Sequence, residues 1–112
     1  MQKIEAIIRP DKLTDVLTAL DKKGCSGVMV TEIQGHGKQK GIVQQWQENK
    51  VRVSLLSKVK IEIITQDADV EAITDTIAEI AKTREIGDGK IFISPIANVI
   101  RIRTGEQGNI AL

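Results

Sequence analysis

Lys58-Val59-Lys60-Ile61-Glu62-Ile63-Ile64 alternates charged and apolar residues over its first six positions, the period-two pattern of a strand with one covered face. Directly after it, Val70, Ile73, Ile77 and Ile80 recur at helical spacing, with Asp67 or Asp69 placed to open the helix. The same strand-then-helix unit stands at the front of the chain. Residues Lys3 to Arg9 alternate, with Ile4, Ala6 and Ile8 on one side and Glu5 and Ile7 on the other. Beyond Pro10, Leu13, Val16, Leu17 and Leu20 mark a first helix, with Asp11 at its positive end and Gly24 as its left-handed stop.

Two further extended stretches complete the pattern. Val28, Val30 and Ile33 predict a second strand running toward Gln34. Ile91 and Ile93 open a fourth, Pro95 interrupts it, and Val99 to Arg103 predicts a short extended piece near the C-terminus. The order β-α-β-β-α-β in 112 residues defines one α+β domain over 1–112 with a ferredoxin-like, antiparallel sheet and both helices on one face. If Ile4, Ala6 and Ile8 face the helices, Ile7 and Ile63 are expected on the uncovered face, and an exposed apolar sheet face implies a homo-oligomer of rotational symmetry.

Between strands two and three, residues of about 37–57 form a loop of some twenty residues, far beyond the usual connection of about 4–6. Such a length marks a functional element, although Val51-Arg52-Val53-Ser54-Leu55 alternates and could lengthen the neighbouring strand.

Composition narrows the chemistry. A formal charge of +1 gives no global case for nucleic acid or an anionic membrane, so any anion site is local. A single cysteine, Cys25, no signal-peptide-like start and no run of about 20 apolar residues point to a cytoplasmic protein without membrane insertion. The aromatics are Trp46 and Phe92, too few for the stacking platform of an RNA binder on this fold. The core must be Ile, Val, Leu and Ala. His36, flanked by glycines, and Cys25 have no evident partner for nucleophilic or acid–base work, no zinc spacing is present, and no catalytic residue is assigned.

Three features carry binding chemistry, each with a plainer alternative. Gly87-Asp88-Gly89-Lys90 can turn successive N–H groups toward one anion, with Lys90 adding charge, and it can equally be an ordinary turn. Because a strand follows it, it is not a Walker A loop. Arg101 and Arg103, two apart in an extended piece, are expected to point the same way with about 6–7 Å between Cα atoms, as an anion clamp or as a solvated edge. Lys38-Gln39-Lys40 at the loop root, with Lys58 where the chain rejoins the sheet, either couples ligand to loop or is solvated. A glutamine oxygen suits Mg²⁺ and a lysine suits a small carboxylate.

Thr83-Arg84-Glu85-Ile86-Gly87-Asp88-Gly89-Lys90-Ile91-Phe92-Ile93, placed between helix two and strand four, resembles the PII nitrogen-regulatory signalling family. Lys3 to Pro10, Gly35 to Gly41, Lys58 to Glu62 and Ile100-Arg101-Ile102-Arg103-Thr104-Gly105-Glu106 look like family segments in the same order. The resemblance implies a homotrimer with three clefts between subunits, binding ATP or ADP competitively, and Mg²⁺ with 2-oxoglutarate beside ATP. Carried over by position, the phosphate-binding turn is 83–90. Gly87, Asp88, Gly89, Lys90, Arg101 and Arg103 would hold phosphates, with Gly35, Gly37, Lys38 and Gln39 approaching from the loop root. Ile7, Met29, Glu62 and Ile64 would line the adenine and ribose end. Gln39, Gly41 and Lys58 would serve 2-oxoglutarate, with Gln39 as the protein's metal ligand.

The long loop would be the family's partner-binding T-loop, with Trp46, Lys50, Val51 and Arg52 as the residues to meet a target. That target is expected to be a membrane transporter such as an ammonium channel, a transporter's ATPase subunit, or a nitrogen-metabolism enzyme. The family's Tyr-Arg-Gly-Ala/Ser-Glu-Tyr stretch is here Trp46-Gln47-Glu48-Asn49-Lys50-Val51, with no tyrosine or serine to modify. Met29 stands for a frequent threonine, Lys38 for an arginine and Glu85 for a lysine. The alternatives are a regulator of a non-ammonium transporter and, from another class, a small acylphosphatase-type enzyme on the same fold.

Overall fold

The computed structural model describes residues 1–35, 42–46 and 51–112, with residues 42–46 and 51–54 described through their backbone alone. Five strands and two α-helices run in the order β1 (Gln2–Ile8), α1 (Leu13–Lys22), β2 (Val28–Gly35), β3 (Ile42–Trp46), β4 (Val51–Thr65), α2 (Val70–Ala81) and β5 (Lys90–Pro95) among these residues. The main sheet has the order β2-β4-β1-β5 and is antiparallel at every pairing, which is the expected ferredoxin-like arrangement.

Register explains which residues meet. Ile4, Ala6 and Ile8 of β1 stand opposite Ile63, Ile61 and Val59 of β4. Directly opposed residues share a face of the sheet, and all six are buried against Val16 and Leu20 of α1 and Ile73, Ile77 and Ala81 of α2. The core is thus wholly aliphatic, as the composition requires, and Phe92 lies exposed outside it. Ile7 lies on the other face as expected, but Ile63 does not: it is 1% exposed and opposes Ile4. The phase of β4 is set by Val59 and Ile61, and Ile63 follows them.

Each α-helix is preceded by a single 3-10 turn, Pro10–Lys12 before α1 and Asp67–Asp69 before α2. The proline fixes the first of these turns at its first residue. Gly24 has φ 78°, the left-handed conformation expected past the end of α1.

The expected twenty-residue loop is largely strand. β4 begins at Val51, so its alternation does lengthen strand three, and β3 pairs with it antiparallel from Ile42 opposite Leu55 to Trp46 opposite Val51. Ile42-Val43-Gln44-Gln45-Trp46 has no period of its own, and its strand character comes from that pairing. The C-terminal piece also departs from expectation. Ile100 makes one isolated bridge to Gln107, and residues 102–104 form a turn rather than a strand.

Candidate functional site

Arg9 directly follows β1 and faces the turn that follows α2, 79 positions along the chain. Its Nε donates to Asp88 Oδ1 at 3.0 Å and its Nη2 donates to the Ile86 carbonyl at 2.9 Å. The Asp88 carboxylate also accepts the Thr83 amide at 2.7 Å, the Arg84 amide at 2.9 Å and the Thr83 hydroxyl. The Thr83 hydroxyl, helped by the Thr83 amide, Arg9 and the Arg84 amide, holds this carboxyl far below the usual carboxylate range. Asp88 therefore shapes the turn from within, and its carboxylate is committed to the chain's own donors.

The turn is tight. Arg84, Gly87 and Gly89 have φ of 71°, 105° and 95°. At Gly89 a Cβ would stand 1.7 Å from the Ile7 carbonyl oxygen, so only glycine lets the backbone of the turn approach β1 this closely. Lys58 of β4 reaches the same turn, its Nζ donating to the Gly87 carbonyl at 2.5 Å. Partial burial, reinforced by the nearby Arg9, lowers the Lys58 pKa from its ordinary value. Lys58 also lines a cavity of about 380 Å³ with Pro10, Glu32, Ile33, Gln34, Ser57 and Val59, at the end of β2 where the chain leaves for β3. One lysine thus touches both the turn and the loop root.

The helix-free face of the sheet gathers most of the remaining expected residues. Lys90 and Lys60 flank Ile7 across the strands, and Met29, Glu62, Glu5 and Phe92 form the next row. Ile64 opposes Lys3 one row further. Glu62 is held by Lys60 at 3.2 Å and, more loosely, by Lys3 at 3.9 Å, while Lys3 pairs with Glu5 at 2.6 Å. Half of Met29 and Phe92 is left open to solvent on this face. Gly35 closes β2 opposite Leu56.

Arg101 and Arg103 do not form the expected extended pair. Arg101 donates to Glu106 Oε1 at 2.6 Å and to the Ile110 carbonyl at 3.1 Å, and its amide bonds the Glu106 carbonyl at 2.8 Å. Gly105, at φ 75°, returns an amide to the Arg101 carbonyl at 2.7 Å, so the chain reverses over 101–106 with Arg103 inside the turn. Arg103 is exposed on that reversal. The bonds of Arg101 stay within its own loop and do not reach the turn at 83–90.

Gly37, Lys38, Gln39, Gly41 and Lys50 lie outside the described residues, and with them the metal assignment to Gln39. Trp46, Val51 and Arg52 are placed by backbone only, Trp46 opposite Val51 and Gln45 opposite Arg52. No group of His, Cys, Asp and Glu able to hold a metal occurs among the described residues. Sequence reasoning missed Arg9 as a member of the site and placed Thr83 in the turn without giving it a role. The signal for Thr83 was its spacing, a hydroxyl five residues before an aspartate between glycines.

The ferredoxin-like sheet thus supports a glycine-rich turn, fastened by a carboxylate and two cations beside the root of a long excursion. The family model described as nitrogen regulatory protein P-II matches residues 1–106. The chain is 50% identical over 112 residues to nitrogen regulatory protein P-II 2 of Methanothermobacter thermautotrophicus, covering all of this chain and 97% of that protein. It is 49% identical to nitrogen regulatory protein P-II 1 of Escherichia coli K12 and 51% identical to a nitrogen regulatory protein P-II of Pyropia yezoensis, with full coverage of both chains in each case. The chain belongs to the nitrogen regulatory protein P-II family, and its relatives are named as regulators rather than enzymes.

Proposed function

We propose that this P-II protein senses adenine nucleotides, with ATP and ADP competing for one cleft, and passes the state to a target protein through the segment between β2 and β4. The observation that carries this reading is the fastening of the 83–90 turn to Lys58, which also walls the cavity at the loop root. A phosphate at the turn and a small carboxylate such as 2-oxoglutarate at the root would be felt by the same side chain. Mg²⁺ would accompany ATP, with Gln39 as its protein ligand.

The working form is a homotrimer. Two facts support it: half-exposed Met29 and Phe92 sit on the helix-free face, and Arg101 is folded into a loop separate from the turn. A second copy would bring its Arg101 and Arg103 to the Gly87–Lys90 turn of the first, completing a phosphate site that one chain holds only in part. The setting is cytoplasmic. The target is a membrane transporter, its ATPase subunit or a nitrogen-metabolism enzyme, met by Trp46, Lys50, Val51 and Arg52. With no tyrosine in the chain, control rests on ligands rather than on tyrosine modification.

Calorimetric titration of the purified protein tests this. ATP and ADP should each bind and displace one another, and 2-oxoglutarate should bind only with MgATP present. Absence of adenine-nucleotide binding would overturn the reading.

A further inference from the structure

Two cations hold the turn after α2 by two successive carbonyls. Arg9 Nη2 donates to the Ile86 carbonyl at 2.9 Å, and Lys58 Nζ donates to the Gly87 carbonyl at 2.5 Å. A trans peptide is planar, with its C=O and the following N–H on opposite sides. Drawing the Ile86 carbonyl toward Arg9 therefore turns the Gly87 N–H away from it. Drawing the Gly87 carbonyl toward Lys58 does the same to the Asp88 N–H. Neither N–H has an acceptor among the described residues. Two adjacent outward N–H groups, one on a residue of positive φ, make a concavity for an anion.

Arg9 does more than balance charge here. Its guanidinium grips the turn at Ile86 and again at Asp88, on either side of Gly87, and the second grip is relayed by the Asp88 carboxylate to Thr83 and Arg84. A planar fork is needed for this, because the two acceptors are reached by different nitrogens of one rigid group. A lysine ammonium has donors enough but no fixed fork to hold both acceptors at these positions.

We propose that Arg9 is a positioning residue of the phosphate cradle, setting the direction of the Gly87 and Asp88 N–H groups without itself meeting the phosphate. The inference rests on the nucleotide reading above and adds to it a residue at the far end of the chain. Arg9 isolates the effect better than Lys58, which also lines the loop-root cavity.

The test compares wild type, Arg9→Ala and Arg9→Lys by calorimetric titration with ADP, by unfolding midpoint, and by the amide shifts of Gly87 and Asp88 in ¹⁵N-labelled protein on adding ADP. Arg9→Ala should weaken ADP about tenfold or more. It should also lose the Gly87 and Asp88 shift changes at ADP saturation while keeping those at Met29 and Ile64. Arg9→Lys should fall between, because a flexible ammonium keeps the charge without the rigid fork. A purely structural role would lower the midpoint and leave both the affinity of the folded fraction and the two amide responses as in wild type. Should Arg9→Ala not fold, Arg9→Lys decides: wild-type affinity with both amide responses intact overturns the proposal. A wild type that binds no ADP overturns the nucleotide reading and this proposal together, an outcome distinct from wild-type binding that is indifferent to residue 9.

Discussion

The turn at 83–90 and the turn at 98–108 are built on the same device and differ in what they are fastened to. Each centres on one carboxylate that collects an arginine and a threonine hydroxyl, Asp88 with Arg9 and Thr83, Glu106 with Arg101 and Thr104, and Asp88 also accepts two backbone amides. For Asp88 the arginine comes from the end of β1, and Lys58 of β4 and the Ile7 carbonyl press on the same turn. For Glu106 the partners lie within five residues, and Asn98 with Gln107 and Val99 with Gly108 close the loop on itself. The first turn therefore inherits its shape from the sheet, while the second carries its own. A cleft assembled from both would combine a rigid wall with an independently folded one.

The sharpest way to break this contrast is a methyl group at each glycine. Gly89→Ala drives a Cβ into the Ile7 carbonyl and should cost more than about 3 kcal/mol, or prevent folding, as read by denaturant unfolding. Gly105→Ala has the same sign of φ with nothing within 4 Å of the new Cβ and should cost only about 1–2 kcal/mol. Equal costs would mean that the first turn is no more tied to the sheet than the second.

Next in size, Asp88→Asn should lower the thermal midpoint clearly more than Glu106→Gln. The former turns an amide donor toward Arg9 and slackens a link between distant elements, whereas the latter loosens a local loop. The reverse order would contradict the comparison.

The smallest effect is in pH. The folded Asp88 carboxyl titrates below its ordinary value of 3.8, so its contribution is fully present above that value and is lost as pH falls below it toward the depressed folded pKa. The stability difference between wild type and Asp88→Asn should be flat from neutral pH down to about 5 and shrink only in stronger acid. A difference that vanished already near pH 6 would show that Asp88 is not held as described.

The same division governs what the sequence discloses. Local patterns were legible: the strand and helix order, the aliphatic core and the left-handed Gly24 all follow from spacing within a few residues. Ile63 was misplaced although it is in phase with Val59 and Ile61, because the doublet Ile63-Ile64 hides that phase until β1 supplies the register. β3 has no alternation and exists through β4, so its sequence alone reads as loop. Arg101 and Arg103 look like an extended pair because Gly105, which reverses the chain, acts two residues later. Arg9 was beyond reach, since its role depends on β1 passing beside a turn that lies 79 residues away, whereas the Gly-Asp-Gly-Lys turn it supports can be picked out by eye.

The central claim, that one chain's 83–90 turn and another's Arg101 complete a single nucleotide site, is tested most directly by mixing two defective chains. Homo-oligomers of Lys90→Ala and of Arg101→Ala should each bind ADP weakly. Co-refolded mixtures should regain high-affinity binding in a fraction of their sites, because some clefts pair an intact turn with an intact Arg101. Mixtures as defective as both parents would contradict the shared cleft and return the two turns to separate roles.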